Sequence, residues 1–298
     1  MTTMQALTRV QLPRYAIVTP ARNERDNLLR LAESVMQQQH RPEWWVIVDD
    51  DSDDGMEEVA EGLVAEHDWI LYRNSCAGAD PIEEGRRRGR DLLAFRLGLQ
   101  ALPAPVDVFV KVDADTSFEP DYFDRLMLRF AEQPDLGIGG GSCYELRGDE
   151  WERIKVAGSH PRGASRAYRW DMLDEVFALE PEMGWDGVDE VMAELRGYRT
   201  EGFKDLGFRH HRAVGEREGR LRAGSALGRQ AWYMGYRPTY VVLRALYRAR
   251  ENFASLAMVW GYAAAAVAGA PRCPHEVVID RVRAGQRLRV VARRGGWT

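Results

Sequence analysis

Apolar, strand-like runs alternate with amphipathic, helix-like segments over the first 115 residues of the chain. The predicted strands are RYAIVTPA, EWWVIVDD, WILYRN and VDVFVKVDAD, and the segments between them carry leucine and valine at helical spacing. Parallel strands need a crossover connection, usually a helix, so this alternation builds a mainly parallel sheet. The sequence therefore predicts a doubly wound α/β fold.

Polar and acidic side chains follow three of the predicted strands. They lie in TPARNE after the first strand, in DDDSDD after the second and in DADTS after the fourth. Ligands of open α/β sheets bind at the carboxyl ends of the strands, so these segments predict one ligand site. Asp113 and Asp115 are two apart on a strand, and we expect them to point the same way and approach one Mg²⁺ or Mn²⁺ ion. The alternative is a solvated acidic turn that caps a helix starting near Pro120.

The stretch VDDDSDDGMEEVAE also fits a calcium-loop template, with Asp50 at the first ligand position, Gly55 at the turn and Glu61 at the twelfth position. A calcium loop of this type lies between two helices, whereas an apolar strand precedes this stretch. Glu57 also occupies the place that usually holds an aliphatic residue. The flanks therefore favour a ligand site at a strand end.

Composition narrows the class of protein. With 298 residues, 45% hydrophobic residues and a formal net charge of -5, the chain can bury a large core and shows no charge signature of nucleic-acid binding. Cys76, Cys143 and Cys273 are odd in number and widely spaced, which indicates neither a disulfide framework nor a zinc site. This cysteine usage and an N-terminus without the apolar core of a signal peptide predict a cytoplasmic protein.

Five motifs, in their order and spacing, resemble the family-2 glycosyltransferases with the GT-A fold. They are PARNE (20–24), VDDDSDDG (48–55), VDAD (112–115), GWDGVDEVMAELRGYRT (184–200) and FKDLGFRHHR (203–212). The resemblance implies a Rossmann-like GT-A domain over residues 1–215, with a nucleotide-sugar half at about 14–117 and an acceptor half at 118–215. It also implies a helical extension over 216–298 and a metal-dependent, inverting transfer of sugar from a UDP- or dTDP-linked donor.

The resemblance also assigns roles to residues near the strand ends. Asp50 is expected to face the base, Asp113 to lie near the ribose and the metal, and Asp115 to bind the Mg²⁺ or Mn²⁺ that bridges the diphosphate. His210 is expected to complete the metal shell, because adjacent strand residues face opposite ways and only one of His210 and His211 can point inward. The implied donor-binding residues are Thr19, Pro20, Ala21, Arg22, Glu24, Asp50, Arg86, Asp113 and Ala114, with Arg87 and Arg88 as alternatives to Arg86.

An inverting transferase needs a carboxylate that takes the proton from the acceptor hydroxyl. The family carries Glu-Asp at a helix start, with a glycine eleven residues after the Asp, and this spacing matches Asp186 and Gly197. Trp185 stands in place of the family's Glu, so Asp189 and Glu190 remain rival bases. The structural alternative is that Asp186 caps the helix and Asp189 closes a capping box.

The segment SHPRGASRAYRWDML (159–173) resembles the acceptor side of the family. His160, Arg162, Arg166 and Arg169 could meet an anionic acceptor such as a phosphate, and the alternative is a basic surface loop. Arg162 and Trp185 are the acceptor-binding candidates. The implied acceptor is a saccharide, a lipid-linked molecule or a small molecule.

The C-terminal region mixes aromatic residues and arginines with aliphatic residues, and its uncharged stretch 253–270 is only weakly apolar. This composition favours a buried or membrane-surface helix over a membrane span. Three placements are open: peripheral contact with the inner face of an anionic membrane, packing on the catalytic domain, or a homodimer interface.

Two other functions are compatible with acidic strand ends. A sugar nucleotidyltransferase shares the sheet and the metal site, but it normally carries a glycine-rich loop after the first strand, and TPARNE has no glycine. A non-catalytic nucleotide-sugar-binding protein has no need for the full acidic set of Asp113, Asp115 and Asp186. A glycosyltransferase is therefore favoured.

Overall fold

The computed structural model describes residues 11–75, 89–154, 160–212, 219–250 and 252–286. Arg86, Arg87 and Arg88 lie outside the described residues, so the donor contact expected of them stays a prediction. Cys143 and Cys273 are both buried free thiols, in line with the absence of a disulfide signature in the sequence.

Four parallel strands form the first half of the sheet that the described residues build. In chain order they are β1 (Tyr15–Ala21), β2 (Trp44–Asp49), β3 (Ile70–Asn74) and β4 (Val108–Val112). Across the sheet the order is β3-β2-β1-β4, so the connections are crossovers that carry helices. β2 and β4 are buried along nearly their whole length, which explains their continuous apolar sequence. The predicted doubly wound α/β fold is confirmed.

The second half of the sheet is mixed. Its strands are β5 (Thr116–Phe118), β6 (Leu136–Arg147), β7 (Glu150–Arg153), β8 (Ser165–Arg169) and β9 (Arg199–His210). β8 joins the two halves by pairing antiparallel with β4 and β6, and β6 runs parallel to β9. The register of β6 and β9 sets Glu145 opposite His210, so both side chains are delivered to the same end of the sheet.

Six helices cover the sheet on its two faces. They are α1 (Arg25–Met36), α2 (Met56–Glu66), α3 (Arg90–Gln100), α4 (Tyr122–Glu132), α5 (Leu173–Ala178) and α6 (Trp185–Leu195). Each face holds its own apolar core. α3 approaches the sheet so closely that a Cβ at Gly98 would collide with Val18 and Val48, which explains why the apolar face of α3 contains a glycine.

A C-terminal helical extension follows the sheet. It contains α7 (Arg220–Tyr233), α8 (Pro238–Ala249), α9 (Ala257–Val267) and α10 (Glu276–Gly285), with a short 3-10 turn at Phe253–Leu256. α10 packs on α6, where Arg281 meets Glu194 at 2.9 Å. Within the described ranges, every helix is too short or too polar to cross a membrane.

Candidate active site

The acidic turn after β2 is braced by its own carboxylates. Asp49 accepts a hydrogen bond from the backbone N–H of Ser52 at 2.9 Å, and Asp54 accepts one from the backbone N–H of Arg25 at 2.8 Å. These bonds fix the turn against the start of α1. Because β2 enters the turn as a strand, the helix–loop–helix arrangement of a calcium loop is absent here, as the flanking sequence indicates.

Asp50 leaves this turn toward the start of α3. Its carboxylate accepts hydrogen bonds from Arg90 at 2.5 Å and from the Ser75 hydroxyl at 2.8 Å. Arg90 is only 7% exposed, so the pair is held largely out of water. Arg90 does not stand out in the sequence, because in an arginine-rich run only burial distinguishes one guanidinium from its neighbours.

The residues at the end of β1 include Arg22, whose guanidinium has a hydrogen-bond donor that the described residues leave unsatisfied. Thr19, expected to contact the donor, is fully buried, and its hydroxyl accepts a hydrogen bond from the Trp45 indole at 3.0 Å, so its side chain supports the fold instead. Pro20 and Ala21 continue β1 alongside β2. Arg22 lies 3.8 Å from Asp51, and its buried Nη1 has no hydrogen-bond partner among the described residues. An unpaired buried donor is costly, so Arg22 suits an anionic group such as a diphosphate.

Asp113 is held by a buried lysine. β4 ends at Val112, so Asp113 and Asp115 lie on a turn and not on the regular strand that the sequence predicts. Lys111 is 1% exposed; it binds the Asp113 carboxylate and lies 3.3 Å from the Gly163 carbonyl oxygen. Ala114 is buried between the two aspartates.

Asp115 lies in a separate charged cluster. His210 Nε2 is 3.3 Å from Asp115, and His210 Nδ1 is 3.6 Å from Glu145. Arg212 reaches Asp115 at 3.2 Å and binds both oxygens of Glu24 at 2.6 Å. Both carboxylate oxygens of Glu24, which was expected to contact the donor, therefore accept hydrogen bonds from Arg212. His211 turns away and meets the Ser117 hydroxyl, so the inward histidine is His210.

The residues around His210 fit a hard divalent cation. Ligand atoms of Cys143, Glu145 and His210 lie within 4.8 Å of one another, with Asp115 adjacent. Burial raises the pKa of the Cys143 thiol to about 11, which leaves carboxylate oxygens and imidazole nitrogen as the donor set. His210 Nδ1 is buried without a hydrogen-bond partner among the described residues. Oxygen and nitrogen donors of this kind suit Mg²⁺ or Mn²⁺. Sequence analysis missed Glu145, because nothing in ELRGDE marks its strand as a neighbour of β9.

Asp186 begins α6 and lies over the same edge of the sheet. Its Oδ2 is 3.3 Å from the position that a Cβ on Gly163 would take, so glycine at 163 gives the carboxylate room. Gly163 is also the residue whose carbonyl oxygen meets Lys111. Asp186 is half-buried, so its side chain keeps some exposed surface.

Asp189 has a different environment. It is fully buried, and its two oxygens accept hydrogen bonds from Arg166 at 2.7 and 3.0 Å and from the Tyr168 hydroxyl at 2.6 Å. Burial raises its pKa to about 6, against the opposing effect of Arg166. A carboxylate with both oxygens bonded and no exposed surface has no route to an acceptor hydroxyl.

Residues 16–179 match the family description "Glycosyl transferase family 2", which is more than half of the chain. The chain belongs to glycosyl transferase family 2. This membership confirms the expected enzyme class, a glycosyltransferase. A search of curated proteins finds no match.

Solved structures of other glycosyltransferases share the fold of this one. A mannosyltransferase from Pyrobaculum calidifontis, PcManGT, in complex with GDP-Man and Mn²⁺, aligns over 96% of this chain and 84% of its own, with a TM-score of 0.56 and 16% identity. S. aureus TarS 1–349 aligns over 72% of this chain with a TM-score of 0.51 and 14% identity, and the chain spans 65% of its length. TarS is also described in complex with UDP-GlcNAc, at 13% identity. The GT-A fold is confirmed.

Two of the four basic residues expected to meet the acceptor keep exposed side-chain surface. Arg166 is buried by carboxylates, and Arg169 donates to the carbonyl oxygens of Leu136, Phe130 and Gln133. His160 lies 2.5 Å from Glu190 with its side chain one-third exposed, and Arg162 lies 3.7 Å from Glu145 with its side chain 24% exposed. Of these four residues, His160 and Arg162 are therefore the two whose side chains are exposed enough to contact a ligand.

Trp185, the other residue expected to bind the acceptor, is buried. It is 4% exposed, its indole donates to Asp91 at 3.3 Å, and Lys111 lies over its ring at 6.0 Å. The sequence placed Trp185 at the acceptor, whereas the structure puts it in the core beneath Lys111. Its large apolar ring explains this burial, since it closes the space between α3 and α6.

The C-terminal extension of the glycosyltransferase buttresses the start of α6. A Cβ at Gly184 would lie 2.6 Å from Gln230 Cγ, and a Cβ at Gly187 would lie 2.8 Å from Met234 Cε. Gly184 also has φ +103°, a conformation that favours glycine. Side chains of α7 therefore pack directly against the backbone on both sides of Asp186.

Proposed function

We propose that this glycosyltransferase is an inverting enzyme that moves a sugar from a UDP- or dTDP-linked donor to an acceptor hydroxyl, with Mg²⁺ or Mn²⁺ as cofactor. The observation that carries the proposal is that Asp186 lies against Gly163, whose carbonyl oxygen meets the lysine that binds Asp113. Asp50, Asp113 and Asp115 follow parallel strands of the donor half, and Asp186 arrives from α6 on the acceptor half. This is the arrangement that a diphosphate-linked donor and an attacking hydroxyl require.

Asp186 is the proposed base. It takes the proton of the acceptor hydroxyl as the oxygen forms a bond to the anomeric carbon and the bond from that carbon to the diphosphate breaks. Arg166 binds the Asp186 carbonyl oxygen at 2.8 Å, which orients the first turn of α6. Because attack comes from the face opposite the leaving group, the configuration at the anomeric carbon inverts.

Asp115, Glu145 and His210 would hold the cation. Asp113, whose carboxylate is bound by Lys111, would lie next to it. A divalent cation there supplies neutralisation of the charge that develops on the leaving diphosphate. On the protein side, Arg22 would contact the same anion, and Asp50 with Arg90 would contact the nucleoside. His160 and Arg162 support an acceptor that carries a phosphate or carboxylate near its reactive hydroxyl.

A thermal-shift panel of nucleoside diphosphates with and without Mn²⁺ tests this function. A ligand that binds only the folded state raises the melting temperature by mass action. We expect UDP or dTDP to raise it in the presence of metal and to have little effect without metal. GDP belongs in the panel, since PcManGT is described with GDP-Man, and a shift with GDP alone would correct the proposed donor. No shift with any diphosphate would remove the donor site.

A further inference from the structure

We propose that the C-terminal extension docks on an anionic lipid bilayer through one apolar face of α9. This surface is independent of the donor site, so its failure would leave the proposed function standing. The outer face of α9 is defined here by Trp260, Ala263, Ala264 and Val267. Their spacing of three, four and seven residues puts them on one side of the helix.

α9 is apolar on the side where a surface helix normally carries polar groups. Its sequence, AMVWGYAAAAV, contains no charged residue, and its other side, including Met258, is buried against α7 and α8. On the outer face, Trp260 is 73% exposed and Val267 is 91% exposed. A helix that is hydrophobic all round belongs in a core or in lipid, so this face calls for a cover.

The apolar surface continues beyond α9. Phe253 in the preceding 3-10 turn is 82% exposed, and Leu246 on α8 is 56% exposed. The 3-10 turn packs against both α8 and α9, so the elements that carry these exposed side chains adjoin one another. Exposed apolar side chains gathered in this way mark an interaction surface.

The helix pair beneath the face is packed with its backbones in close contact. Gly224 and Gly228 stand four apart on α7. A Cβ at Gly228 would collide with the backbone of α9 at Met258, and a Cβ at Gly261 of α9 would collide with the backbone of α7 at Ser225, whereas a Cβ at Gly224 would collide with the backbone of the 3-10 turn at Ala254. This small-xxx-small contact lets two backbones touch and is enriched where lipid surrounds the helices. The contact also makes a rigid platform, so Trp260 and Val267 are presented in fixed positions.

Charge identifies the occupant. Residues 219–298 contain 14 arginines and three acidic residues, a net charge of +11, and since the whole chain carries -5, residues 1–218 carry -16. Arginines clustered near an apolar helix face are attracted to anionic headgroups. A second copy joined through the same face would bring two strongly positive extensions together, which like-charge repulsion opposes.

The outer face of α9 lies near the loop that leads to the proposed base. A cavity of about 320 Å³ lies between α7, α9 and the loop before α6, and Ala264 and Trp232 line it together with Met183. Met183 is three residues before Asp186. A bilayer against α9 would therefore lie beside the loop that leads to the proposed base, so a membrane-borne acceptor could approach that side of the site. Since α9 is 11 residues long, it would lie in the headgroup layer.

Vesicle co-sedimentation of the full chain tests the proposal. We expect the wild-type protein to pellet with vesicles of phosphatidylcholine and phosphatidylglycerol, and to stay largely in the supernatant with phosphatidylcholine alone. Trp260→Glu and Val267→Glu should each weaken the affinity for these vesicles at least about tenfold, since each replaces an apolar side chain that would be buried in the bilayer by a charged one. Leu29→Glu is the matched control, because Leu29 is 46% exposed on α1, and it should bind as the wild type does.

Three results would overturn the proposal. The first is no binding of the wild-type protein to anionic vesicles. The second is equal binding by Trp260→Glu and Leu29→Glu. The third is a stable dimer in sedimentation velocity that Trp260→Glu dissociates, which would make the face a contact between two copies. The melting temperature and the diphosphate shift, read on every variant, separate loss of docking from loss of folding or of donor binding.

Discussion

Arg166 and Asp189 form a fully buried, bidentate ion pair behind the proposed base, with nitrogen–oxygen distances of 2.7 and 3.0 Å. Arg166 also donates to the Asp186 carbonyl oxygen and to Glu190, so one guanidinium ties three positions of α6 to β8. The pair therefore fixes the helix whose first turn carries Asp186. In the proposed mechanism Asp189 is therefore a positioning residue, although its place in the sequence makes it a rival base.

Removing the charge of Asp189 should cost stability. Asp189→Asn removes the fully buried carboxylate of the pair and leaves Arg166 with Glu190 alone as its counter-charge, and we expect a loss of about 3 kcal/mol in the free energy of unfolding. Asp205→Asn is the control, because Asp205 is exposed beside Arg125 and Arg129 and should cost less than about 1 kcal/mol. Denaturant unfolding measures both. Equal losses would mean that burial of the Arg166 pair contributes nothing.

Asp186→Asn should abolish transfer while leaving the fold and the donor site intact. The amide cannot accept the acceptor proton, so we expect the turnover rate to fall by about 10²- to 10⁴-fold. The metal-dependent diphosphate shift and the melting temperature should match the wild type. Wild-type turnover by this variant would place the base elsewhere, with half-buried Glu190 next in line.

The cluster around His210 should set the metal requirement. Glu145→Gln removes one charged oxygen beside His210, and we expect the Mn²⁺ concentration needed for the diphosphate shift to rise about tenfold or more. Glu150→Gln, at an exposed position on β7, is the matched control and should leave the requirement unchanged. An unchanged requirement in Glu145→Gln would place the cation on Asp113 and Asp115 without Glu145.

Arg90 should act on donor binding and not on chemistry. Arg90→Gln frees the Asp50 carboxylate from its cation and disturbs the nucleoside side of the site. We expect KM for the donor to rise about tenfold, as for a lost charged hydrogen bond, with kcat little changed. Arg73→Gln, at an exposed end of β3, is the control. A fall in kcat at constant KM would show that Arg90 serves the reaction step.

The His160–Glu190 pair should make stability depend on pH. Burial lowers the pKa of His160, but the hydrogen bond and charge of Glu190 outweigh it and raise that pKa above its usual value. The charged pair therefore stabilises the fold most fully below about pH 6.5, and this stability is lost as pH rises through the folded-state pKa. The stability difference between wild type and His160→Gln should be largest in acid, at about 1 kcal/mol for this partly exposed pair, and shrink in alkali. A difference that grows with pH would contradict the pairing.

The first half of the fold could be read from the sequence because its signals are local. RYAIVTPA and EWWVIVDD form strands within one residue of the predicted limits, and VDVFVKVDAD forms a strand that ends at Val112, three residues before its predicted end, since buried parallel strands are continuous apolar runs. Glycine at 184 and Asp186 at the start of α6 also follow from a short motif. The acidic strand ends needed no tertiary information, because they belong to the turns that follow each strand.

Long-range pairing decided the rest. The sequence determined which residues stand at strand ends, and so it determined Asp50, Asp113 and Asp115 as candidates. Only the tertiary structure shows that Glu145 lies opposite His210 and that Trp185 is buried beneath Lys111. It also shows that Asp189 is paired with Arg166. Contacts across 20 or more residues depend on strand register and on burial, which change the charge state and the accessibility of a side chain without leaving a local pattern. That physical difference explains why the sequence predicted the fold and the strand-end candidates, whereas the burial of Asp189 in an ion pair with Arg166 became visible only in the tertiary structure.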